Sequence, residues 1–143
     1  MTRLQWILAI VVVMAGQAFA QENYTEGPVW SVTLIRVKPA QFDAYLSNLR
    51  QGAKVAYDEA KRQNAIMDYK VFIKQTKENP QDWDIAIALL FRNHAQMDGL
   101  AAKMEGVRDK VLGGKQAAQQ AAEKRTEIRE VVATELIQEV TLK

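Results

Sequence analysis

The sequence predicts an α+β fold in which helices cover one face of an antiparallel four-stranded sheet. Its 143 residues are 48% apolar and 25% charged, which is typical of one ordinary globular domain. Alternating or β-branched stretches occur near both ends of the domain and, in its middle, as a pair joined by a polar connection. Between them, apolar residues recur at three- and four-residue spacing, which indicates amphipathic helices.

The first twenty residues have the three-part layout of a secretory signal peptide. Arg3 precedes an apolar stretch over 4–14, which only one glutamine interrupts, and Ala18-Phe19-Ala20 supplies the small-x-small ending. We expect cleavage between Ala20 and Gln21 and a secreted or periplasmic mature protein without a stable membrane anchor. The alternative is a retained anchor, but the apolar stretch is shorter than the roughly 20 residues that a bilayer crossing requires.

We expect residues 21–28 to form a flexible polar lead and residues 29–143 to form a single domain. The segment VWSVTLIRVKP (29–39) alternates and is rich in β-branched residues, which predicts a strand ended by Pro39. Over residues 40–60, the spacing of Phe, Tyr, Leu and Ala predicts an amphipathic helix of about six turns.

The remaining pattern predicts, in chain order, strands over 67–75 and 82–91, helices over 94–112 and 115–130, and a closing strand over 131–140. Asn79-Pro80, between the first two strands, is a turn signal, so these strands form a hairpin. Gly113-Gly114 ends the first of the two helices, and the second helix is rich in alanine.

The strand predicted over 82–91 is apolar on both of its faces. Ile85, Ile87 and Phe91 belong to one parity, and Ala86 and Ala88 belong to the other. A strand with one face in water would alternate apolar and polar residues, so we expect this strand to be covered on both faces. Helices cover one face, and the economical cover for the other is a second copy of the chain in a homodimer.

The order strand, helix, hairpin, helices, strand is that of a ferredoxin-like split β-α-β unit with an extra helix before the last strand. On the segments VWSVTLIRVKPAQFDAYLSNL, DYKVF, DWDIAIALLFRNHAQMDGL and ATELIQEV, the chain resembles the dimeric α/β-barrel proteins, the group that includes the antibiotic-biosynthesis monooxygenases. This resemblance implies a homodimer whose two sheets enclose a cavity. Members of the group include cofactor-free oxygenases, haem-degrading enzymes, isomerases and proteins without known activity, so function has to be argued from the site.

Composition and spacing argue against several functions. Removal of residues 1–20 leaves eighteen Lys and Arg against seventeen Asp and Glu, and the charges alternate in sign along AEKRTEIRE (122–130). This alternation is typical of a solvated helix face, and the near-neutral total argues against a nucleic-acid partner. One histidine and no cysteine do not suffice for a zinc site, and GGK (113–115) lacks the spacing of a phosphate-binding loop. The sequence therefore predicts no metal and no cofactor.

His94, the single histidine, is a candidate general base. Asn93 before it is a preferred N-cap and Gln96 completes a capping box, so His94 would begin a helix whose dipole favours the neutral, proton-accepting imidazole. The other interpretation, which we favour, is an exposed helix-start residue without chemistry. The haem-degrading relatives carry their iron-ligating histidine about two turns into this helix, where residues 101–103 are Ala, Ala and Lys.

Five residues on predicted strands are candidates for binding a ligand in the cavity: Trp30, Arg36, Tyr69, Trp83 and Glu135. Aromatic rings with a few polar neighbours are typical of small-molecule pockets. Arg36 is the unusual charge on an apolar strand face, and Glu135 is its counterpart on the last strand. These two side chains could instead form a buried pair, or lie near strand ends and reach water.

Two functions stay open from the sequence. The first is binding of a small, largely apolar molecule by a protein without catalytic activity. The second is a cofactor-independent oxygenase or isomerase that uses the aromatic side chains to orient its substrate. We favour the first, because no acid–base pair stands out.

Overall fold

The computed structural model describes residues 23–143, and the expected signal peptide lies outside this part of the chain. Its elements in chain order are β1 (Tyr24–Val37), α1 (Phe42–Asn48), a π-helical turn (Leu49–Ala53), α2 (Lys54–Arg62), β2 (Asp68–Ile73), β3 (Ile85–Phe91), a one-turn 3-10 helix (His94–Met97), α3 (Leu100–Leu112), α4 (Lys115–Ile128) and β4 (Arg129–Leu142). Within residues 23–143, no helix has the length and apolar character needed to cross a membrane.

The four strands form one antiparallel sheet in the order β2-β3-β1-β4. β2 and β3 are hairpin neighbours, whereas β1 lies between β3 and β4. The chain therefore crosses the sheet twice through helices, as in a split β-α-β unit, and α4 is the additional helix before the last strand. The predicted α+β fold with an antiparallel four-stranded sheet is confirmed.

β1 and β4 are longer than their apolar patterns predict. Tyr24–Glu26 pair with residues 140–142 of β4. The expectation of a flexible lead over 21–28 is therefore wrong for these three residues, which belong to β1. Main-chain hydrogen bonds to β4 order this polar stretch, although it lacks an alternating pattern. The register then shifts between Glu26 and Val29, where a Cβ on Gly27 would lie 3.0 Å from the carbonyl oxygen of Glu139.

The helix predicted over 40–60 is observed as α1, the π-helical turn and α2 in direct succession. Tyr45, Leu49 and Ala53 follow one another at four-residue spacing, and all three are buried against the sheet. In a regular α-helix this spacing would drift around the axis, because one turn takes 3.6 residues. The π-helical turn, with its wider i→i+5 hydrogen bonding, keeps the three side chains on the core side.

The helices pack on one face of the sheet, which we call the helix face. Near one end of this face, Tyr45, Leu49 and Ala53 contact Ile35, Ile85 and Ile87. Near the other end, Phe91 packs with Ala56, Ala60, Met104 and Val107. Burial of each large apolar side chain stabilises the fold by roughly 1.5–3 kcal/mol, so this face carries most of the stabilisation of the single chain.

Candidate functional site

In the described part of the chain, the opposite face of the sheet is covered by no helix, and we call it the open face. The strand registers place on it Trp30, Val32, Leu34 and Arg36 of β1, Lys70 and Phe72 of β2, Ala86, Ala88 and Leu90 of β3, and Ala133, Glu135 and Ile137 of β4. None of these residues belongs to the two clusters that the helices cover. The open face is nevertheless mainly apolar, which is unusual for a sheet surface in contact with water.

The registers and exposures indicate a shallow trough along β3 on the open face. Its floor is formed by Ala86 and Ala88 of the central strand β3, which are only 4% and 3% exposed because larger neighbours stand beside them. Ala86 pairs with Leu34 on one side and with Phe72 on the other. The Phe72 side chain is 49% exposed, so the wall of the trough projects into solvent while its floor does not.

Polar side chains of the outer strands reach inward over the open face toward Trp30 of β1. The ammonium group of Lys70 lies 5.3 Å from the ring centre of Trp30, and the indole N–H of Trp30 donates a 2.6 Å hydrogen bond to Glu139. Glu135, opposite Val32, is exposed and has no ion pair or hydrogen bond within residues 23–143. Its carboxylate is therefore available to a ligand or a partner.

Arg36 pairs with a different carboxylate from the one that the sequence suggested. Its guanidinium contacts Glu130 at 2.6 Å and donates a 2.7 Å hydrogen bond to the carbonyl oxygen of Gln81. Glu130 is its direct cross-strand neighbour, whereas Glu135 pairs with Val32 further along β1. Arg36 is thus held near the end of β1. Its side chain is 24% exposed, which agrees with the alternative that it reaches water near a strand end.

Two of the five candidate ligand residues lie away from the open face. Tyr69 is on the helix face, where its ring centre lies 5.2 Å from that of Tyr57 and its hydroxyl donates a 2.8 Å hydrogen bond to Asp58. Burial, followed by the hydrogen bond to Asp58, raises the pKa of Tyr69 to about 12. Trp83 precedes β3 rather than lying on it, and the ammonium of Lys74 lies 5.0 Å from its ring centre.

The structure therefore places Trp30, Arg36 and Glu135 on the open face, with Arg36 six residues along β1 from Trp30, whereas Tyr69 lies on the helix face and Trp83 lies before β3. The aromatic residue of β2 that shares the open face is Phe72, which the sequence analysis did not select. Phe72 has the parity opposite to Tyr69, and its pairing with Ala86 places it on the open face.

His94 is exposed and lies in the 3-10 helix. Half of the predicted capping box is present, since the Asn93 side chain accepts a 3.1 Å bond from the Gln96 N–H. The Gln96 side chain accepts its bond from the N–H of Arg92 and not from that of the N-cap Asn93. However, the helix predicted over 94–112 is interrupted, because Gly99 adopts a left-handed conformation with φ of 66° and α3 begins after it. A single 3-10 turn provides little dipole, so the argument for a neutral, basic His94 loses its basis.

Other concave surfaces of the described residues offer less chemistry. A cleft of about 560 Å³ at the end of β1 is lined by Arg36, Lys77, Asp84 and Glu130 among others, but these charges are paired with one another. A groove of about 340 Å³ runs between the first helix and β2 and is mainly apolar. Within residues 23–143, no group of three or more His, Cys, Asp and Glu side chains is arranged to hold a metal ion.

Comparison with known proteins gives the fold and no assigned activity. No protein-family model matches the chain, and no curated protein matches its sequence. Among solved structures, HapK from Hahella chejuensis is 12% identical, with a TM-score of 0.53 over 78% of this chain and 91% of its own. A nipsnap family protein with unknown function from Agrobacterium tumefaciens str. C58 is also 12% identical, with a TM-score of 0.53 over 82% of this chain and 90% of its own.

A dimeric protein of unknown function and ferredoxin-like fold from Bacteroides fragilis NCTC 9343 is 14% identical, covers 82% of this chain and 100% of its own, and has a TM-score of 0.47. The likeness to the first two structures confirms the fold that the resemblance to the dimeric α/β-barrel proteins implied. At these identities, the comparisons define the fold alone.

Proposed function

We propose that the mature protein is an exported homodimer that binds a small, largely apolar molecule between the open faces of its two copies. The observation that carries this proposal is the trough of the open face, whose alanine floor lies below walls of larger apolar side chains. Export is proposed from the first twenty residues, which have the layout of a signal peptide.

The uncovered apolar side chains of the open face support dimerisation. Phe72 and Ile137 are 49% and 52% exposed in the single chain, and both belong to this face. Removing apolar surface from water stabilises an assembly by roughly 25 cal/mol per Å². A closed two-fold dimer would bury the same face on both copies and remove the apolar side chains of the open face from solvent.

Charges at the two margins of the open face favour one of the two simple two-fold arrangements. β2 carries Lys70 at one margin, whereas β4 carries Glu135 and Glu139 at the other. A two-fold axis parallel to the strands brings β2 of one copy opposite β4 of the other, so that the lysine meets carboxylates. An axis perpendicular to the strands, in the plane of the interface, would bring β4 opposite β4 and oppose like charges. We therefore propose the parallel axis.

The alanine floor supports a cavity inside such a dimer. Facing sheets pack about 10 Å apart, and the space between them is normally filled by large interdigitated side chains. Ala86 and Ala88 project little into this space, and in the parallel-axis dimer each would face a single β1 side chain of the other copy, Leu34 or Val32, so the interface would be least filled over the alanine floor. The result would be an enclosed apolar space with Trp30 and Glu135 toward its margin, which fits a small apolar molecule with one polar group.

Glu135 favours a second function, that of a cofactor-independent oxygenase or isomerase. This carboxylate is exposed and unpaired within the described residues, and it lies on the open face beside Val32. At the margin of the proposed cavity, this carboxylate would lie within reach of a bound ligand. It could then accept a proton from a bound phenolic or quinol compound.

Binding can be tested with the neutral fluorescent probe N-phenyl-1-naphthylamine. Wild type should bind it saturably as a dimer, and Ala86→Leu should remain dimeric while the dissociation constant rises at least about tenfold. Ala101→Leu, a matched change at an exposed position of α3, should bind as wild type does. A wild-type dimer that leaves the probe unbound, or equal binding by Ala86→Leu, would refute the cavity; a wild-type monomer would refute the dimer.

The second function is tested by substrate loss and oxygen uptake with a panel of phenolic and quinol compounds. If wild type turns over any of them and Glu135→Gln is slower by at least about a hundredfold, the effect is that of a missing general base. This outcome would replace the binding proposal with the enzymatic one. His94→Ala is the matched control and should leave any turnover nearly unchanged, because His94 lies off the open face.

A further inference from the structure

Three arginines gather on the helix face without a carboxylate partner. They come from three separate elements: Arg108 from α3, Arg125 from α4 and Arg129 from the first position of β4. Within residues 23–143, none of the three is in an ion pair with Asp or Glu. Arginine stays protonated in proteins, so this cluster holds three positive charges.

Two tyrosines from the first helix complete the cluster. Arg129 donates a 3.0 Å hydrogen bond to the hydroxyl of Tyr45, and its guanidinium carbon lies 5.8 Å from the centre of that ring. Tyr57 lies beside Arg125, and burial raises the pKa of the Tyr57 hydroxyl. Both tyrosines are therefore neutral at physiological pH, and they do not balance the charge of the arginines.

Arg125 is the least satisfied member of the cluster. The alternating charges over 122–130 predict a solvated helix face, but Arg125 is half-buried, and its Nε is fully buried without a hydrogen-bond partner among the described residues. Burial, followed by repulsion from Arg129, lowers the pKa of Arg125. An unpaired N–H of a buried charged group is costly, so such groups normally have a counter-ion or a bound partner.

A cavity of about 30 Å³ lies against this cluster. It is lined by Arg108, Arg125 and Tyr57, together with Met104 and the π-helical turn at Gly52 and Ala53. This volume exceeds the roughly 10–15 Å³ needed for a single water, and it is too small for a drug-sized molecule. π-helical turns inside α-helices are frequent at functional sites, and here the turn forms one wall of the cavity.

We propose that this cavity binds a small monovalent anion, such as chloride or formate, between Arg108 and Arg125. The anion would accept a charge-assisted hydrogen bond from guanidinium N–H groups and would supply the negative charge that the cluster lacks. The site lies on the helix face, so it is separate from the proposed ligand cavity of the open face. It would also join α2, α3 and α4 through one ion.

The test measures thermal unfolding of the full mature protein in sodium gluconate, at constant ionic strength, as gluconate is replaced by chloride, nitrate or formate. The wild-type midpoint should rise saturably with at least one of these anions, because a ligand that binds the folded state alone stabilises it. Arg125→Met should lose this response, with an apparent dissociation constant at least about tenfold weaker. Arg92→Met, at an exposed position, should keep it.

Sulfate serves as the size control in the same titration. A rise that does not saturate with chloride, nitrate or formate and that matches the rise with sulfate in both wild type and Arg125→Met would indicate general salt stabilisation and would overturn the proposal. A saturable response retained by Arg125→Met, or no response to any small anion in wild type, would overturn it as well and leave water as the occupant of the cavity. If Arg125→Met does not fold, Arg108→Met takes its place with the same expected loss of response.

Discussion

Replacement of Ala88 by aspartate should dissociate the dimer without unfolding the chain, whereas the same replacement at the neighbouring Ile87 should unfold it. The two residues are adjacent on β3 and almost equally buried, at 3% and 5% exposure. They differ in the face they occupy. Ile87 packs under the helices with Ile35, Tyr45 and Leu49, and Ala88 lies on the floor of the open-face trough.

The expected magnitudes follow from these environments. At Ile87, truncation of the side chain removes roughly 2–5 kcal/mol, and the added carboxylate is desolvated as well. The sum is comparable to the whole stability of a domain, about 5–15 kcal/mol. At Ala88, a carboxylate in the single chain can reach water and Lys70, so its effect on unfolding should be small.

In the dimer, the Ala88→Asp carboxylate would lose its water on each copy. An unsatisfied buried polar group destabilises by roughly 1–3 kcal/mol, and the two-fold symmetry doubles the effect to about 2–6 kcal/mol. The dimer dissociation constant should therefore rise at least about 30-fold.

Sedimentation velocity across a micromolar concentration series, with circular dichroism melts of the same samples, measures both effects. Gln116→Asp, at an exposed position in the first turn of α4, is the control and should stay dimeric and folded. An Ala88→Asp protein with the wild-type dissociation constant would refute the assignment of faces. So would an Ile87→Asp protein that melts as wild type does.

Three further predictions concern other parts of the chain. Asn93→Ala should lower the free energy of unfolding by about 1 kcal/mol, because the hydrogen bond of its side chain to the Gln96 N–H is lost, and His94→Ala should change it little. Urea unfolding measures both values, and the reverse order would contradict the assignment of Asn93 as the cap. The free energy of unfolding should fall as the pH rises from about 10 toward 12, because the unfolded chain loses the Tyr69 proton near pH 10.0 while the folded chain keeps it until about 12. Tyr69→Phe should lessen this fall in urea titrations at about pH 9 to 12. An unchanged dependence on pH in that variant would argue against the raised pKa of Tyr69. Exported protein should begin at Gln21 by intact-mass measurement, and material that retains the first twenty residues in a membrane fraction would exclude cleavage.

The order of elements could be predicted because periodicity is a local property of the sequence. The two-sided apolar pattern of 82–91 predicted coverage of both faces of β3, but it could not tell which parity meets the helices. That assignment depends on the contacts of Ile85 and Ile87 with the first helix, and these are fixed only when the whole layer packs. For the same reason, the sequence selected Tyr69 on β2 and passed over Phe72, although both are aromatic.

The differences from prediction arise where tertiary contacts override a local pattern. Gly99 interrupts a helix that apolar spacing alone would continue, because its left-handed backbone turns the chain before α3. Trp83 lies before β3 because the strand begins at Ile85, three residues later than the strand predicted over 82–91. Arg125 belongs to a segment of alternating charge, yet it turns inward because α4 packs against α3 and against the first helix. Glycine at position 99 is a local signal for such a turn, whereas the late start of β3 and the inward direction of Arg125 have no signature within a short window of sequence.

The long pairing of β1 with β4 has a consequence for the order in which the chain can fold. Its partners are far apart along the sequence, since Trp30 and Glu139, for example, are 109 residues from each other. Contacts of such high sequence separation are slow to form, because a large loop must close before they are gained. Until β4 has been synthesised and docked, β1 presents a full row of unpaired main-chain groups at an open edge, which is the part of a nascent chain most exposed to association with other strands.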